Sequence, residues 1–313
     1  MPSRPTLCRH GDIISKRAPT RDANPKKNNP TRDANPQKNN PTRDANPQKN
    51  NPTRDANPQK DDPMRGKVAL VTGGGSGIGR AAAVLFAHRG AGVAVADLDL
   101  GGGAETVAMI EAGGGRGRFF ATDVTDEAGV EELVAATVGE FGKLDCAFNN
   151  AGITHPSRPF HELTLDQWNE MIVVNLTSVF LCMKHEIIQM LAQGDGGAIV
   201  NTASGAAIVP APGQPHYTAA KRGVLGLTTH AADELNNQGI RVNSVCPGMI
   251  DTPMVASWRE SSPEMAEAVI QHMPGRRLGQ PEEVAEAAVW LCSDEARWVS
   301  GNTMVVDGGM ICR

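Results

Sequence analysis

Residues 67–80 read KVALVTGGGSGIGR, a stretch in which an apolar run is followed by a glycine-rich segment. Its opening run is rich in valine and leucine and predicts a buried strand, while the residues from Ile78 onward have a helical pattern. The glycines between them permit a tight turn and let a pyrophosphate approach the backbone at the N-terminus of the helix. The stretch therefore predicts the first strand–turn–helix unit of a nucleotide-binding α/β domain.

The glycine turn differs from two better-known phosphate-binding motifs. The G-x-G-x-x-G fingerprint would need glycine where Ile78 stands, and no Gly-Lys-Ser/Thr follows as in the NTPase loop. From Thr72 the turn reads T-G-x-x-x-G-x-G. The predicted cofactor contacts in this turn are Gly73, Ser76, Gly77, Ile78 and Gly79.

The chain downstream alternates short apolar runs with longer helical patterns, which favours a parallel sheet covered by helices. Predicted strands are 67–72, 92–97, 117–122, 144–148, 197–203, 240–246 and 303–306. Predicted helices are 78–89, 102–112, 126–140, 166–193, 215–236 and 281–292.

A different composition precedes this domain. Residues 19–62 are four tandem copies of an 11-residue unit that begins Pro-Thr-Arg-Asp-Ala-Asn-Pro and contains no Leu, Ile, Val, Phe or Trp. Such a segment cannot bury enough apolar surface to fold, so we expect a disordered tail over 1–63 and one domain over 64–313. One hypothesis is that translation starts at Met64 and that the tail is partly or wholly a gene-model extension.

Charge and composition narrow the function classes. The whole chain carries a net charge of −5. Residues 1–62 hold 13 basic and 7 acidic residues, but these are evenly mixed and lack aromatics, so we expect no nucleic-acid or membrane partner. The six cysteines show no paired spacing and are typical of reduced thiols in a cytoplasmic protein. No histidine cluster predicts a metal site, because His185-Glu186 lacks the second histidine of H-E-x-x-H.

Asp97 ends the second predicted strand, 18 residues after Gly79. A carboxylate at this place can accept a hydrogen bond from a ribose 2′-hydroxyl and repels a 2′-phosphate. Arg80 is the one nearby cation that a 2′-phosphate could recruit. The sequence therefore favours NAD(H) over NADP(H).

Tyr217 is the only tyrosine of the chain, and Lys221 follows it by four residues. Residues four apart share one face of a helix, so a phenol and an ammonium would lie side by side. A nearby cation lowers the pKa of a phenol, which makes a proton donor and acceptor near neutral pH. Ser204, thirteen residues upstream, supplies a hydroxyl that can hold the same substrate oxygen.

Together these motifs resemble the short-chain dehydrogenase/reductase family in its single-domain branch of about this length. The residues that carry the resemblance are Thr72–Gly79, Asn149-Asn150-Ala151-Gly152, Asn175, Ser204, Tyr217, Lys221 and Pro247-Gly248. The resemblance covers residue 65 to about residue 310. It implies a doubly wound, Rossmann-like sheet of seven parallel strands in the order 3-2-1-4-5-6-7, with helices on both faces.

The resemblance also implies roles for individual residues. Tyr217 would be the acid/base, Lys221 would lower its pKa and contact the nicotinamide ribose, and Ser204 would orient the substrate oxygen. Asn175 would hold a water that links Lys221 to solvent. Further cofactor contacts would come from Asp97, Asp123, Val124, Asn150, Ala151, Gly152, Pro247, Gly248, Ile250 and Thr252.

The substrate is predicted from the segments that would flank the pocket, 205–216 and a mobile lid over 249–278. Their apolar residues favour an apolar secondary alcohol or ketone, with alicyclic compounds among the candidates, although Arg259 and Glu260 complicate this reading. His155 is a further pocket candidate. His216 adjoins Tyr217, but neighbouring helix residues point apart, so we expect it to be a bystander.

The resulting prediction is an NAD(H)-dependent oxidoreductase that interconverts a secondary alcohol and a ketone. By resemblance it would be a homotetramer, or a dimer, packed through helices 166–193 and 215–236. Two alternatives stay open: an NADPH-dependent 3-oxoacyl-carrier-protein reductase, and a non-catalytic sensor of NAD(H).

Overall fold

A computed structural model describes residues 62–261 and 263–312 of the chain. Residues 1–61 of the predicted tail lie outside the described residues, so its expected disorder stays a prediction. The described part is an α/β fold with helices on both faces of a seven-stranded sheet.

All seven strands of this sheet are parallel, and their order is β3-β2-β1-β4-β5-β6-β7, as the resemblance implied. Their bounds differ from the predicted ones by up to two residues. The strands are β1 Val68–Thr72, β2 Gly92–Asp97, β3 Arg116–Ala121, β4 Cys146–Asn149, β5 Gly197–Thr202, β6 Ile240–Pro247 and β7 Thr303–Val306.

Nine α-helices connect or cover these strands within the described ranges. They are α1 Gly77–His88, α2 Leu100–Ala112, α3 Glu127–Phe141, α4 Leu165–Ile172, α5 Ser178–Gln193, α6 Pro215–Leu235, α7 Pro253–Ser261, α8 Pro263–His272 and α9 Pro281–Cys292. The glycine-rich start of α2 is stabilised because the Asp99 side chain accepts from the Gly101 N–H at 3.0 Å.

The long helix predicted over 166–193 is not one regular α-helix. A π-helical turn, Val173–Thr177, separates α4 from α5 and carries the fully buried Asn175. Such turns widen a helix locally and are frequent at functional sites. The apolar periodicity is similar in both kinds of turn, so the sequence pattern did not reveal it.

Two apolar clusters pack against the two faces of the sheet. One joins α1 and α9 through residues such as Phe86 and Val284, and the other joins α3, α5 and α6 through residues such as Leu133 and Val224. Every residue of β1 is buried, which explains its continuous apolar run.

Strand order reverses between β1 and β4, and this reversal positions the candidate site. In open α/β sheets the crevice outside the carboxyl ends of the strands at such a point is the usual ligand site. Thr72, Asp97, Asn149 and Thr202 end four of these strands at the same edge.

The helical stretch Leu165–Gln193 is long and apolar enough to cross a membrane by length and composition alone. It is 29 residues long, its most apolar window has a mean hydropathy of 1.5, and half of that window is buried inside the fold. This burial is the arrangement of a core helix.

Candidate active site

The turn between β1 and α1 forms a cradle that side chains would fill. Gly73 and Gly77 have positive φ angles of 63° and 50°. A Cβ atom on Gly79 would lie 1.9 Å from the Gly73 carbonyl oxygen. Ser76 precedes the helix in an extended conformation and makes no side-chain capping bond. The first N–H groups of α1 therefore suit an anionic ligand such as a pyrophosphate.

Asp97 lies against this turn, at the end of β2. Its carboxylate accepts from the Gly75 N–H at 2.8 Å and from the Asp99 N–H at 2.9 Å. A Cβ on Gly75 would lie 2.9 Å from the same carboxylate, so only glycine allows this approach. Asp97 thus places a negative charge beside the glycine turn.

Arg80 is engaged by neighbouring groups. It forms an ion pair of 2.6 Å with Glu105 and donates to the Gly75 carbonyl at 2.5 Å and the Thr106 hydroxyl at 3.1 Å. These contacts hold Arg80 against the start of α2, where it stabilises the turn itself.

Ser204, Tyr217 and Lys221 are brought together as the sequence predicted. Ser204 follows β5, and its hydroxyl lies close enough to Tyr217, in the first turn of α6, to affect the pKa of the phenol. The Lys221 Nζ lies 5.9 Å from the centroid of the Tyr217 ring and donates to the Thr202 carbonyl at 2.8 Å.

The predicted effect of Lys221 on the phenol is not found in this structure. Burial raises the pKa of Tyr217 above its ordinary value, and the Ser204 hydroxyl opposes this rise. Burial also lowers the pKa of Lys221 to about 8. The expectation from spacing neglected desolvation, which disfavours both charged forms.

Asn175 lies near Lys221, and both approach Gly152. Its amide bonds Ile153 twice, accepting from the N–H at 3.0 Å and donating to the carbonyl at 2.9 Å. A Cβ on Gly152 would lie 2.5 Å from the Asn175 Oδ1 and 3.5 Å from the Lys221 Nζ. The bare backbone of Gly152 therefore lets the amide and the ammonium approach the same point.

The segment after β4 is fastened to the glycine turn. The Asn150 side chain donates to the carbonyls of Thr72 and Gly73, both at 3.3 Å. The Thr72 hydroxyl accepts from the backbone N–H groups of Asn150 at 3.0 Å and Ala151 at 3.2 Å. The cradle and the catalytic edge of the sheet are thus one connected unit.

The remaining predicted cofactor residues take different positions. Val124 is buried against Ala151, while the Asp123 carboxylate accepts from the Thr125 N–H and hydroxyl. Thr252 packs at the turn, since a Cβ on Gly77 would lie 3.1 Å from its methyl group.

Pro247 ends β6, and Gly248 lies so close to Asp307 that its Cβ would be 2.7 Å from the Asp307 Cβ. The Ile250 side chain is buried in the core, and its backbone pairs with Gly279. Its apolar side chain therefore serves packing.

The sequence reading missed a polar network behind the site. Glu186 on α5 is fully buried and accepts from the Asn149 amide at 3.0 Å; the same amide donates to Asn201 at 3.1 Å, and Asn201 donates to Thr228 at 3.0 Å. The network spans β4, β5, α5 and α6. His185-Glu186 was noted for its failure to match a zinc motif, and its burial had no sequence signal.

Burial raises the pKa of Glu186 from 4.5 to about 7, and the bond from Asn149 opposes this rise. Two atoms of the network, Asn149 Oδ1 and Glu186 Oε1, are buried without a hydrogen-bond partner in the described part of the chain. An ionised Glu186 is therefore poorly compensated. No group of three or more metal-ligating side chains occurs among the residues that the structure describes.

The chain is similar to several known proteins. A family described as Enoyl-(Acyl carrier protein) reductase matches residues 73–311. A 2,5-dichloro-2,5-cyclohexadiene-1,4-diol dehydrogenase of Sphingobium indicum is 43% identical over 246 residues, covering 79% of this chain and 97% of the relative. A cyclohexanol dehydrogenase of an Acinetobacter species is 45% identical over 242 residues, covering 77% and 94%.

A solved structure with the same fold is a carveol dehydrogenase from Mycobacterium avium in complex with NAD. It superposes with a TM-score of 0.75 at 30% identity and covers 80% of this chain and 99% of that chain.

The buried Glu186 gives a pH prediction for stability. The folded protein holds a proton on this carboxyl more tightly than the unfolded chain does. The protonated carboxyl therefore contributes fully to the stability of the fold below pH 4.5, and this contribution is lost as the pH rises to about 7. Between pH 4.5 and 7.5 the free energy of unfolding of the parent should fall by about 3 kcal/mol more than that of Glu186→Gln, which has no carboxyl group to titrate at this position. Urea unfolding across this range measures the difference.

Glu132→Gln, on the exposed face of α3, is the matched control and should follow the parent. Equal pH slopes for the parent and Glu186→Gln would contradict the assignment of a neutral buried carboxyl.

Proposed function

The chain belongs to the short-chain dehydrogenase/reductase family and is an oxidoreductase of CH–OH groups with a nicotinamide cofactor. We propose that it interconverts an alicyclic secondary alcohol and its ketone with NAD(H). The observation that carries the proposal is the placement of Ser204 near Tyr217, with Lys221 on the same helix, beside the glycine cradle.

The proposed catalytic side chains have different tasks. Tyr217 takes the hydroxyl proton from the alcohol, or returns it to the ketone oxygen in the reverse direction. Ser204 donates a hydrogen bond to the same oxygen and so fixes its distance from the phenol. Lys221 and Asn175, both buried, would pass the proton of Tyr217 on from the side of the phenol that faces the protein interior.

The cofactor fits the residues present. The cradle of Gly73, Gly77 and Gly79 would hold the pyrophosphate, and Asp97 would accept from a ribose hydroxyl. When bound, the nicotinamide supplies or accepts hydride. Preference for NAD(H) is supported by two observations: the Asp97 carboxylate faces the turn, and Arg80 is already paired with Glu105.

The alicyclic substrate is proposed from the relatives and the pocket flanks together. Two relatives are named for a cyclohexadiene diol and for cyclohexanol. Ile208, Val209 and Met254 lie in the flanking segments, and each exposes more than a third of its surface. The expected lid, 249–278, contains α7 and α8.

We further propose a cytoplasmic homotetramer. Phe180, Ile188 and Leu191 on α5 expose 50%, 55% and 41% of their surface, which is unusual for large apolar side chains on one helix. A second copy of this chain, packed through α5 and α6, would bury them. Cys146, Cys182, Cys246 and Cys292 are buried free thiols, which is typical of a reducing compartment.

Turnover of the full chain with a panel of alcohols tests the proposed substrate class. We expect cyclohexanol to reduce NAD⁺ with a kcat/KM about tenfold above that of the open-chain 2-hexanol, because the proposed pocket fits a ring. Nicotinamide absorbance measures both rates. Reduction of NADP⁺ alone would favour the carrier-protein reductase alternative. NADH binding without any turnover would favour the sensor.

A substitution of Asp97 tests the preference for NAD⁺ over NADP⁺. Asp97→Ser removes the charge that repels a 2′-phosphate but keeps a short hydroxyl beside Gly75. We expect the ratio of kcat/KM for NADP⁺ over NAD⁺ to rise at least about tenfold, since one charge contact is typically worth that much.

Asp99→Ser is the matched control, because serine preserves the cap of α2 and the Asp99 carboxylate accepts from the Gly101 N–H, whereas the Gly75 N–H donates to Asp97. An unchanged ratio in Asp97→Ser, or an equal rise in the control, would refute the role of Asp97.

A further inference from the structure

Three ionisable side chains form a line that ends beside the proposed acid/base. The Glu170 carboxylate on α4 lies 3.3 Å from the His155 Nε2, and the His155 Nδ1 lies 3.2 Å from the His216 Nε2. Glu170 is 61% exposed at its side chain, His155 is 16% exposed, and His216 is 1% exposed as a residue. The line therefore runs from solvent into the protein and stops one residue before Tyr217.

The same region fastens the loop after Gly152 to the start of α6. The Gln214 side chain donates to the His155 carbonyl at 2.7 Å, and the Gly213 carbonyl accepts from the Arg158 N–H at 2.9 Å. The Ser157 hydroxyl donates to the Pro212 carbonyl at 3.2 Å. The two histidines add a contact on the buried side of these bonds, and we call the contacts between residues 155–158 and 212–216 the clasp.

The exposed carboxylate sets the proton positions in this line. We assign a hydrogen to the His155 Nε2, which faces Glu170 and leaves Nδ1 as an acceptor. His216 then donates through Nε2–H, and its Nδ1 lone pair is buried without a partner in the described structure. The line thus holds one fixed arrangement of hydrogens when both rings are neutral.

An added proton breaks this arrangement. If both nitrogens of His155 carry hydrogen, His216 must change tautomer to accept, and its Nδ1–H becomes a buried donor without a partner. Burial and the neighbouring His155 both lower the pKa of His216, so this ring resists taking the charge itself.

Few other ionisable groups can compensate the added charge. Glu170 comes from α4, and Tyr217 and Lys221 come from α6 itself; Arg158 lies in the clasp. Strand β6, which also packs on α6, adds Arg241 and Cys246, whereas β5 and the turns Gly205–Ala207 and Val173–Thr177 carry no ionisable side chain.

We propose that Glu170, His155 and His216 are positioning residues of the reaction, which hold the first turn of α6 and displace Tyr217 when the histidine pair takes up a proton. Turnover then falls on the acid side of neutrality as the pair becomes charged. The effect on turnover rests on the proposed function, whereas the effect on Tyr217 does not.

The single tyrosine allows a direct test in the full-length protein. With tyrosine labelled at the ζ-carbon, NMR shows one phenol resonance. We expect this resonance to shift in a step between pH 5 and 7.5. Glu170→Gln should move the midpoint to lower pH, because the variant lacks the carboxylate that lies 3.3 Å from the His155 Nε2 and favours an added proton there. His216→Asn should abolish the step.

Glu234→Gln is the matched control, since it removes the carboxylate of the exposed His230–Glu234 pair of 3.5 Å, on the same helix but away from the clasp. It should leave the midpoint at the parent's value. Glu170 is exposed, so its variant tests the proposal even where His216→Asn fails to fold.

In Glu170→Gln the pH at which kcat falls on the acid side should move in the same direction as the midpoint of the NMR step. The Kd for NADH should stay constant. A parent without the step, or a midpoint equal in the parent and Glu170→Gln, overturns the proposal. A parent that shows the step but turns over no alcohol overturns the proposed function and leaves the positioning of Tyr217 supported.

Discussion

A buried ammonium group is the constraint on which the site depends. Lys221 is 3% exposed, and burying a charged amine without compensation costs several kcal/mol. The Thr202 carbonyl at the end of β5 accepts its hydrogen bond, and the bare backbone of Gly152 leaves room for Asn175 on the other side. The end of the sheet, the turn after β4 and the π-helical turn must therefore meet around one nitrogen atom.

Desolvation acts on the neighbouring groups in the same direction. The pKa values of Tyr217 and Glu186 are raised and that of Lys221 is lowered to about 8, so desolvation disfavours the charged form of all three groups. With a pKa of about 8, Lys221 still carries its proton at neutral pH and lies as an ammonium group beside a neutral phenol. Behind them, the Glu186–Asn149–Asn201 network joins the ends of β4 and β5 and keeps this geometry rigid.

The parts of the structure that local sequence determines were predictable. The run from Lys67 to Gly79 correctly predicted strand, turn and helix, and Asp97 was expected and found at the end of β2. The spacing of Tyr217 and Lys221 correctly predicted a shared helix. In each case hydrophobic periodicity or a glycine requirement acts over a few residues, so the signal is contained in the sequence itself.

Features that depend on distant contacts could not be predicted in this way. His155 and His216 are 61 residues apart and meet only because two loops close on each other. The burial of Glu186 depends on β4 and β5, and the π-helical turn at Asn175 depends on the hydrogen bonds to Ile153. The pKa of Tyr217 was predicted in the wrong direction because spacing reveals the cation but not the desolvation.

Replacing Tyr217 by phenylalanine tests the role of the phenol, since it removes one oxygen atom and the only tyrosine of the chain. We expect NADH binding equal to that of the parent and turnover lowered by about 10²–10⁴-fold, the usual contribution of a general acid–base group. Turnover close to that of the parent would contradict the assignment of Tyr217 as the group that exchanges the substrate proton.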